Sequence, residues 1–168
     1  LAFNNFIYLF SSGKIHSIRL STRPDAITAE KLEFLKAYPV THIELGAQSF
    51  DSEVLRLSGR GHTTEQTENA SALVLNQGFA LGLQMMLGLP GGSAEKALET
   101  ARKIVAAGAS ETRVYPTLVF RNTELESRYL KGDYTPLSLE EAVRQAADTL
   151  EIFEKGNLRI LKVGLHPS

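Results

Sequence analysis

The 168-residue chain contains no cysteine. That excludes disulfides, thiolate metal sites and a cysteine nucleophile within these residues. It also has no apolar run approaching the roughly 18 residues of a membrane span. No cluster of Lys and Arg exceeds a residue or two and the formal net charge is −1, so no phosphate-backbone binding face is indicated. The opening "LAFNNFIYLF" is apolar and aromatic but lacks a basic start and a small-residue cleavage site, so it is not read as a signal peptide. A cytoplasmic location with no membrane partner is the default expectation. Hydrophobic residues make up 43% and charged residues 22%, which suits a packed core and excludes a disordered tail.

Short apolar strands alternate with amphipathic helices. "HSIRLST" (16–22) reads as a first strand, followed by the turn "RPDAI" and a helix "AEKLEFLKAY" capped by Thr28. "VTHIELGAQS" (40–49) is a second strand, and Asp51 caps the short helix "SEVLRLS". After the loop "GRGH" (59–62), "TTEQ" (63–66) fits a capping box for a helix running to Gln77, with Gly78 as its left-handed stop. "FALGLQMML" (79–87) is a third strand. "GLPGG" then turns into a helix capped by Ser93 and ended by Gly108. "ETRVYPTLVF" (111–120) is a fourth strand, and "NTELESRYLKGDYTPLS" a long loop. "SLEE" (138–141) opens a helix with Val143, Ala146, Ala147, Leu150 and Phe153 inward, and "LRILKVGL" (158–165) is the last strand. Phe3, Phe6, Ile7 and Phe10 fall at helical spacing, as if the chain opened within a helix.

Strand–helix units recurring every 25 to 45 residues or so are the pattern of right-handed parallel βα folds, either a doubly wound sheet or an arc of a barrel. In both, functional side chains gather at the C-terminal ends of strands. Four ends therefore carry the candidates: Ser21 to Pro24, Glu44 to Phe50, Gln84 to Gly92 and Tyr115 to Arg121. At the first, Ser21 and Arg23 emerge where a ligand would lie, although Arg23-Pro-Asp25 is also a good turn with a ready ion pair. At the second, Glu44, Gln48 and Ser49 are polar in an otherwise buried strand around Gly46, either a bonded core network or a site. Beyond it, Arg60 and His62 sit among glycines, and no second ligand at metal spacing accompanies His62. At the third, "GLPGGSAEK" is a weak phosphate cradle, since neither G-x-x-x-x-G-K-[ST] nor G-x-G-x-x-G is present. Met85 and Met86 read as core.

Taken in order, "IRLSTRPD", "ELGAQSFDSEVLRLSGRGHT", "GFALGLQMMLGLPGG" and "RVYPTLVFRNTELESRYLKGDYTPLSLEEAV" resemble radical S-adenosylmethionine enzymes. The subgroup they resemble is shared by the catalytic subunit of elongator and the oxygen-independent coproporphyrinogen III oxidase. The resemblance runs from about Ile15 to the C-terminus. It implies an α/β fold, an incomplete TIM-type barrel, in which residues 1–168 form one domain, the C-terminal part. It also implies two cofactors, S-adenosylmethionine and a 4Fe–4S cluster held by three cysteines, which together generate a deoxyadenosyl radical.

By position, Gln48 resembles a polar residue reaching the ribose, and Arg60 an arginine near the methionyl carboxylate. Ser21 and Gln84 stand where the coproporphyrinogen enzyme has acidic residues, departures that favour the elongator-like side. Leu87, Gly88 and the turn to Gly91 would shape the adenine and ribose side of the pocket, with the backbone of Val114 to Pro116 flanking the adenine. Because no cysteine is present, the cluster ligands and the first barrel strands are expected upstream of Leu1. The chain is then expected to be an inactive fragment missing its N-terminal barrel half, with tRNA or a small molecule as substrate of the whole. Two other readings stand beside it: a small βα enzyme binding a phosphorylated metabolite at "GLPGG", and a non-enzymatic module in which Gln48, Arg60 and His62 form a core network or partner surface.

Overall fold

The computed structural model describes residues 12–164, so the N-terminal helical pattern and Leu165 lie outside the described residues. Five strands, β1 (Ile18–Thr22), β2 (Val40–Gln48), β3 (Ala80–Leu87), β4 (Glu111–Pro116) and β5 (Arg159–Val163), form one sheet in the order β1-β2-β3-β4-β5. All four pairings are parallel. A doubly wound sheet reverses its strand order at a switch point, whereas a sheet that adds each strand beside the last is an arc of a barrel.

Among the described residues six α-helices accompany the strands: α1 (Ala29–Leu35), α2 (Ser52–Leu57), α3 (Thr64–Asn76), α4 (Ala94–Ala106), α5 (Glu124–Lys131) and α6 (Leu139–Lys155). Their starts follow side-chain chemistry. Thr28, Asp51 and Ser93 each accept a backbone N–H of the first turn, and Thr63–Gln66 and Ser138–Glu141 form complete capping boxes. Gly78 and Gly108 take the left-handed conformation after α3 and α4 (φ 85° and 77°).

The strands sort their side chains by face. Ile43, Leu45 and Ala47 of β2, with Leu81, Leu83, Met85 and Leu87 of β3, enter the core shared with Val74, Ala101, Ile104 and Phe153 from the helices. The opposite, concave face carries Glu44, Gly82, Gln84, Glu111 and Arg113. Glu44 and Glu111 are almost wholly buried, with side chains 4% and 3% exposed. Each needs a cation. Arg19 on β1 makes a two-pronged bond to Glu111 on β4, its second prong 2.9 Å, and Arg113 Nε lies 3.1 Å from Glu44. Gly82 lies between the two carboxylates. A Cβ there would stand 3.3 Å from Glu111 Oε1 and 3.4 Å from the Glu44 Cβ, so its lack of a side chain gives the ion network its room.

The structure departs from the expectations in four places. α1 stops at Leu35 rather than Tyr38. β4 ends at Pro116, not Phe120, because Thr117 turns aside and gives both its N–H and its hydroxyl to the Leu87 carbonyl (2.9 and 2.7 Å). The long loop after it contains α5, closed by left-handed Gly132. On α6, Val143 (61% exposed) and Ala147 face outward, while Thr149 and Phe153 are buried. The exposed residues concentrate in the first turns (Leu139 and Val143), whereas Ala146, Thr149, Leu150, Ile152 and Phe153 in the later turns are buried or packed on the core.

The two faces of α6 are separable by urea unfolding. Phe153→Ala is expected to cost about 3–5 kcal/mol, and Val143→Ala to stay within about 0.5 kcal/mol. Comparable losses at both positions would overturn this orientation of the helix.

Candidate functional site

The C-terminal end of β2 departs from regular pairing. Leu45 pairs with Leu83 and Gln48 with Met85, three steps on β2 against two on β3, which is a bulge. The extra residue leaves Gln48 in the left-handed region (φ 65°), unusual for a non-glycine. Its side chain folds back over Gly46: a Cβ there would lie 2.7 Å from Gln48 Nε2. Gly46 leaves the room that the Gln48 amide occupies, and that amide accepts a bond from Gln84 Nε2 across the strands (3.4 Å). Its two polar neighbours do other work. Glu44 belongs to the ion network. Ser49 turns toward α4, where its Oγ lies 3.4 Å from Thr100 Oγ1 and accepts the Asp51 N–H.

The loop after α2 delivers Arg60. Gly59 turns left-handed (φ 64°), Arg60 N–H returns to the Leu55 carbonyl (2.9 Å), and buried His62 bonds through Nε2 to the Ala47 carbonyl (3.1 Å). His62 is thus a pin fastening the loop to β2, buried rather than solvated. Among the described residues no group of three His, Cys, Asp or Glu could hold a metal ion. The Arg60 guanidinium projects over β3 and gives an N–H to Met86 Sδ (3.2 Å). None of the ion pairs among the described residues includes Arg60. Burial, and after it the charge of Arg23, lowers its pKa, yet an arginine starts so high that it remains a cation.

A cavity of about 730 Å³ opens at these strand ends. Its walls are Leu57 to Arg60, Gln84 and Met86, Leu89 and Pro90, Tyr115 to Leu118, and α5 with Phe120 before it. It is large enough for a nucleoside-sized ligand, mostly apolar, with a cation and an amide on one side. Of the residues expected at a site, Arg60 and Gln84 line it and Gln48 stands behind Gln84. Tyr115 and Pro116 line it as well, while Val114 is buried in the core.

The other expected residues lie off the cavity. Ser21 is exposed at the end of β1, opposite Glu44. Arg23 is held by Asp25 through two 2.9 Å bonds. Leu87 points into the helix-facing core, 1% exposed, because it alternates with Met86 along β3. Gly88, left-handed at φ 70°, faces Leu137, and its carbonyl accepts the Tyr134 hydroxyl (2.7 Å).

The "GLPGG" turn is no phosphate cradle. Gly92 N–H is given to the Leu89 carbonyl, and the Ser93 hydroxyl caps Lys96 N. Lys96 Nζ is taken by Glu53 (3.1 Å) and Asp51 (3.3 Å), whose charges repel an anion. The void beside the turn is about 10 Å³, room for a single water. Conversely, the α5 wall lies in the stretch expected to be a loop. Arg128 fixes it by donating to the Leu57 carbonyl (2.6 Å). Its signal was present: Thr123 caps Glu126 N, and Glu126 reaches back to Asn122 N–H, a Thr-x-x-Glu start.

Residues 4–104 match the family model described as the Radical SAM superfamily, and residues 110–168 match the Radical SAM C-terminal domain. The chain is 30% identical over 139 residues to a tRNA uridine(34) acetyltransferase of Methanocaldococcus infernus, covering 81% of this chain and 26% of the relative. To Elongator complex protein 3 of Saccharomyces cerevisiae it is 30% identical over 142 residues, 83% of this chain and 26% of that one. It thus spans about a quarter of the length of these relatives. Among solved structures, the archaeal Methanocaldococcus infernus Elp3 superposes with a TM-score of 0.80 at 26% identity, over 89% of this chain and 38% of that one. Coproporphyrinogen III oxidase (HemN) of Escherichia coli gives 0.71 at 19% identity, over 83% and 32%, a likeness of fold.

The conformation of Gln48 yields a stability test. In an ordinary strand, alanine is favoured over glycine by about 0.5–1 kcal/mol. At a left-handed position the order reverses, so Gln48→Gly is expected to be more stable than Gln48→Ala by about 1 kcal/mol. Equal or reversed midpoints in paired denaturant titrations would show that the bulge is not there.

Proposed function

The chain belongs to the radical S-adenosylmethionine superfamily, and on that premise we propose that residues 1–168 form the C-terminal side of its barrel and the wall of an S-adenosylmethionine pocket. One observation carries the reading: Arg60, a cation free of ion pairs among the described residues, faces a nucleoside-sized cavity beside the Gln84 amide. Arg60 would hold the ligand's carboxylate, exchanging the weak thioether acceptor of Met86 for a charged one. Gln84, steadied by Gln48, would hydrogen-bond the ribose. Tyr115 and Pro116 supply the flat apolar surface a purine needs.

A radical SAM enzyme also requires a 4Fe–4S cluster, which supplies the electron that cleaves the bound S-adenosylmethionine. The residues here do not fit that cluster. There is no cysteine, and no three-residue metal constellation among the described residues. No radical step is assigned to this chain. Its own residues bind, orient and shield, and it is inactive in isolation.

The elongator-like branch is favoured for the whole enzyme. The curated relatives at 30% identity are named tRNA uridine(34) acetyltransferase and Elongator complex protein 3, which supports tRNA as the substrate class. The coproporphyrinogen oxidase is similar at 19% identity only, and Ser21 and Gln84 are not the carboxylic acids expected of that branch.

The test uses the inert analogue S-adenosylhomocysteine and backbone amide NMR. Addition should shift the amides of Arg60, Met86 and Tyr115 with a Kd in the high-micromolar to millimolar range, about −4 to −5 kcal/mol. Arg60→Met should weaken this roughly tenfold, the value of one charge-assisted pair. Saturable shifts confined to the Ser93 turn, or an Arg60→Met protein that binds as well, would overturn the assignment.

A further inference from the structure

The chain has two methionines, adjacent in sequence and opposite in environment. Met85 is 0% exposed in the helix-facing core, and Met86, on the other face of β3, lines the cavity. The Met86 sulfur also accepts an N–H from Arg60 Nη2 at 3.2 Å. A thioether is a poor acceptor for a guanidinium. A sulfoxide oxygen is a good one, carrying substantial negative charge one bond beyond the sulfur.

We propose that Met86 is a reversible oxidation site that closes the cavity's anion anchor. Hydrogen peroxide transfers one oxygen atom to Sδ: the sulfur lone pair forms an S–O bond as the O–O bond breaks, the proton on the transferred oxygen passes to the departing hydroxide, and the thioether is oxidised to sulfoxide while the peroxide is reduced to water. The new S=O accepts the Arg60 N–H already aimed at that sulfur. The guanidinium is then occupied by an internal acceptor, and an incoming carboxylate must displace it. The polar oxygen also enters a mostly apolar wall. Methionine sulfoxide reductases reverse the reaction, so the change is a switch rather than damage. The loss of ligand affinity rests on the reading of Arg60 as the carboxylate anchor; the site of oxidation and its partner do not.

Three readouts separate these parts. After limited hydrogen peroxide treatment of the whole chain, fragmentation between residues 85 and 86 locates the oxygen. Met86 should gain it at least about tenfold faster than Met85, which reacts only through opening of a core strand. The side-chain ¹⁵N resonances of Arg60 should move on oxidation in the wild type and stay fixed in peroxide-treated Met86→Leu, a volume-conserving change that folds. Oxidised wild type should bind S-adenosylhomocysteine about tenfold more weakly than untreated, the equivalent of one charge-assisted bond, whereas the ratio before and after peroxide is one for Met86→Leu. Equal oxidation of both methionines, unmoved Arg60 resonances, or unchanged affinity of the oxidised protein would each overturn the proposal. Absence of analogue binding to the untreated chain would instead overturn the pocket assignment, and the first two readouts would still decide this one.

Discussion

A two-pronged bond between Arg19 and Glu111 ties the first strand of the sheet to the fourth. On a flat sheet those strands would stand three spacings apart, about 14 Å. An extended arginine and an extended glutamate together reach about that far, and the space over Gly82 near which they meet holds no side chain. The same sheet carries the site: Gln48 and Gln84 bond between the adjacent strands β2 and β3, and Arg60 and Tyr115 line one cavity. The near-complete burial of Glu44 and Glu111 makes the arrangement demanding, because a buried carboxylate without its cation is strongly unfavourable. Glycine at position 82 keeps the space beside the Glu111 carboxylate open.

How much of this is legible in the sequence differs by element. The strands and most helices follow from local rules, since capping side chains and apolar alternation are written in consecutive residues. Thr63–Gln66, Ser138–Glu141 and Gly78 stand where those rules put them. α5 carried an equally local signal, Thr123-x-x-Glu126, but its residues are polar and none is buried, so no hydrophobic period announced it. The outward turn of Val143 could not be read from its spacing. It depends on how far the core extends along α6, a fact of tertiary packing.

The site shows the same division. Polar residues bracketing Gly46 single out the end of β2 as a candidate, but the three polar side chains part company there. Glu44 joins an ion network, Ser49 bonds toward α4, and Gln48 alone turns toward the cavity wall, through a bulge that no sequence pattern records. Leu87 and Gly88 were drawn into the expected pocket by their neighbourhood in the chain. Strand alternation sends Leu87 to the core, and the left-handed turn at Gly88 leaves Leu89 and Pro90 to take that place. The resemblance of motifs identified the family, because motifs locate segments; which face each side chain takes is decided by register, which motifs do not record.

The segment between β4 and α6 fastens the far rim of the cavity to residues distant in sequence. Arg128 reaches Leu57 over a separation of 71 residues, and Tyr134 reaches Gly88 over 46. Such contacts carry a large loop-closure cost and contribute only once the strands between them are in place. The near wall of the cavity is built from neighbouring βα units, whereas the far wall is held by contacts between residues distant in sequence. Any ligand that bridges the two walls stabilises the folded state by mass action, and its occupancy reports on long-range order across the sheet rather than on local structure at one strand end.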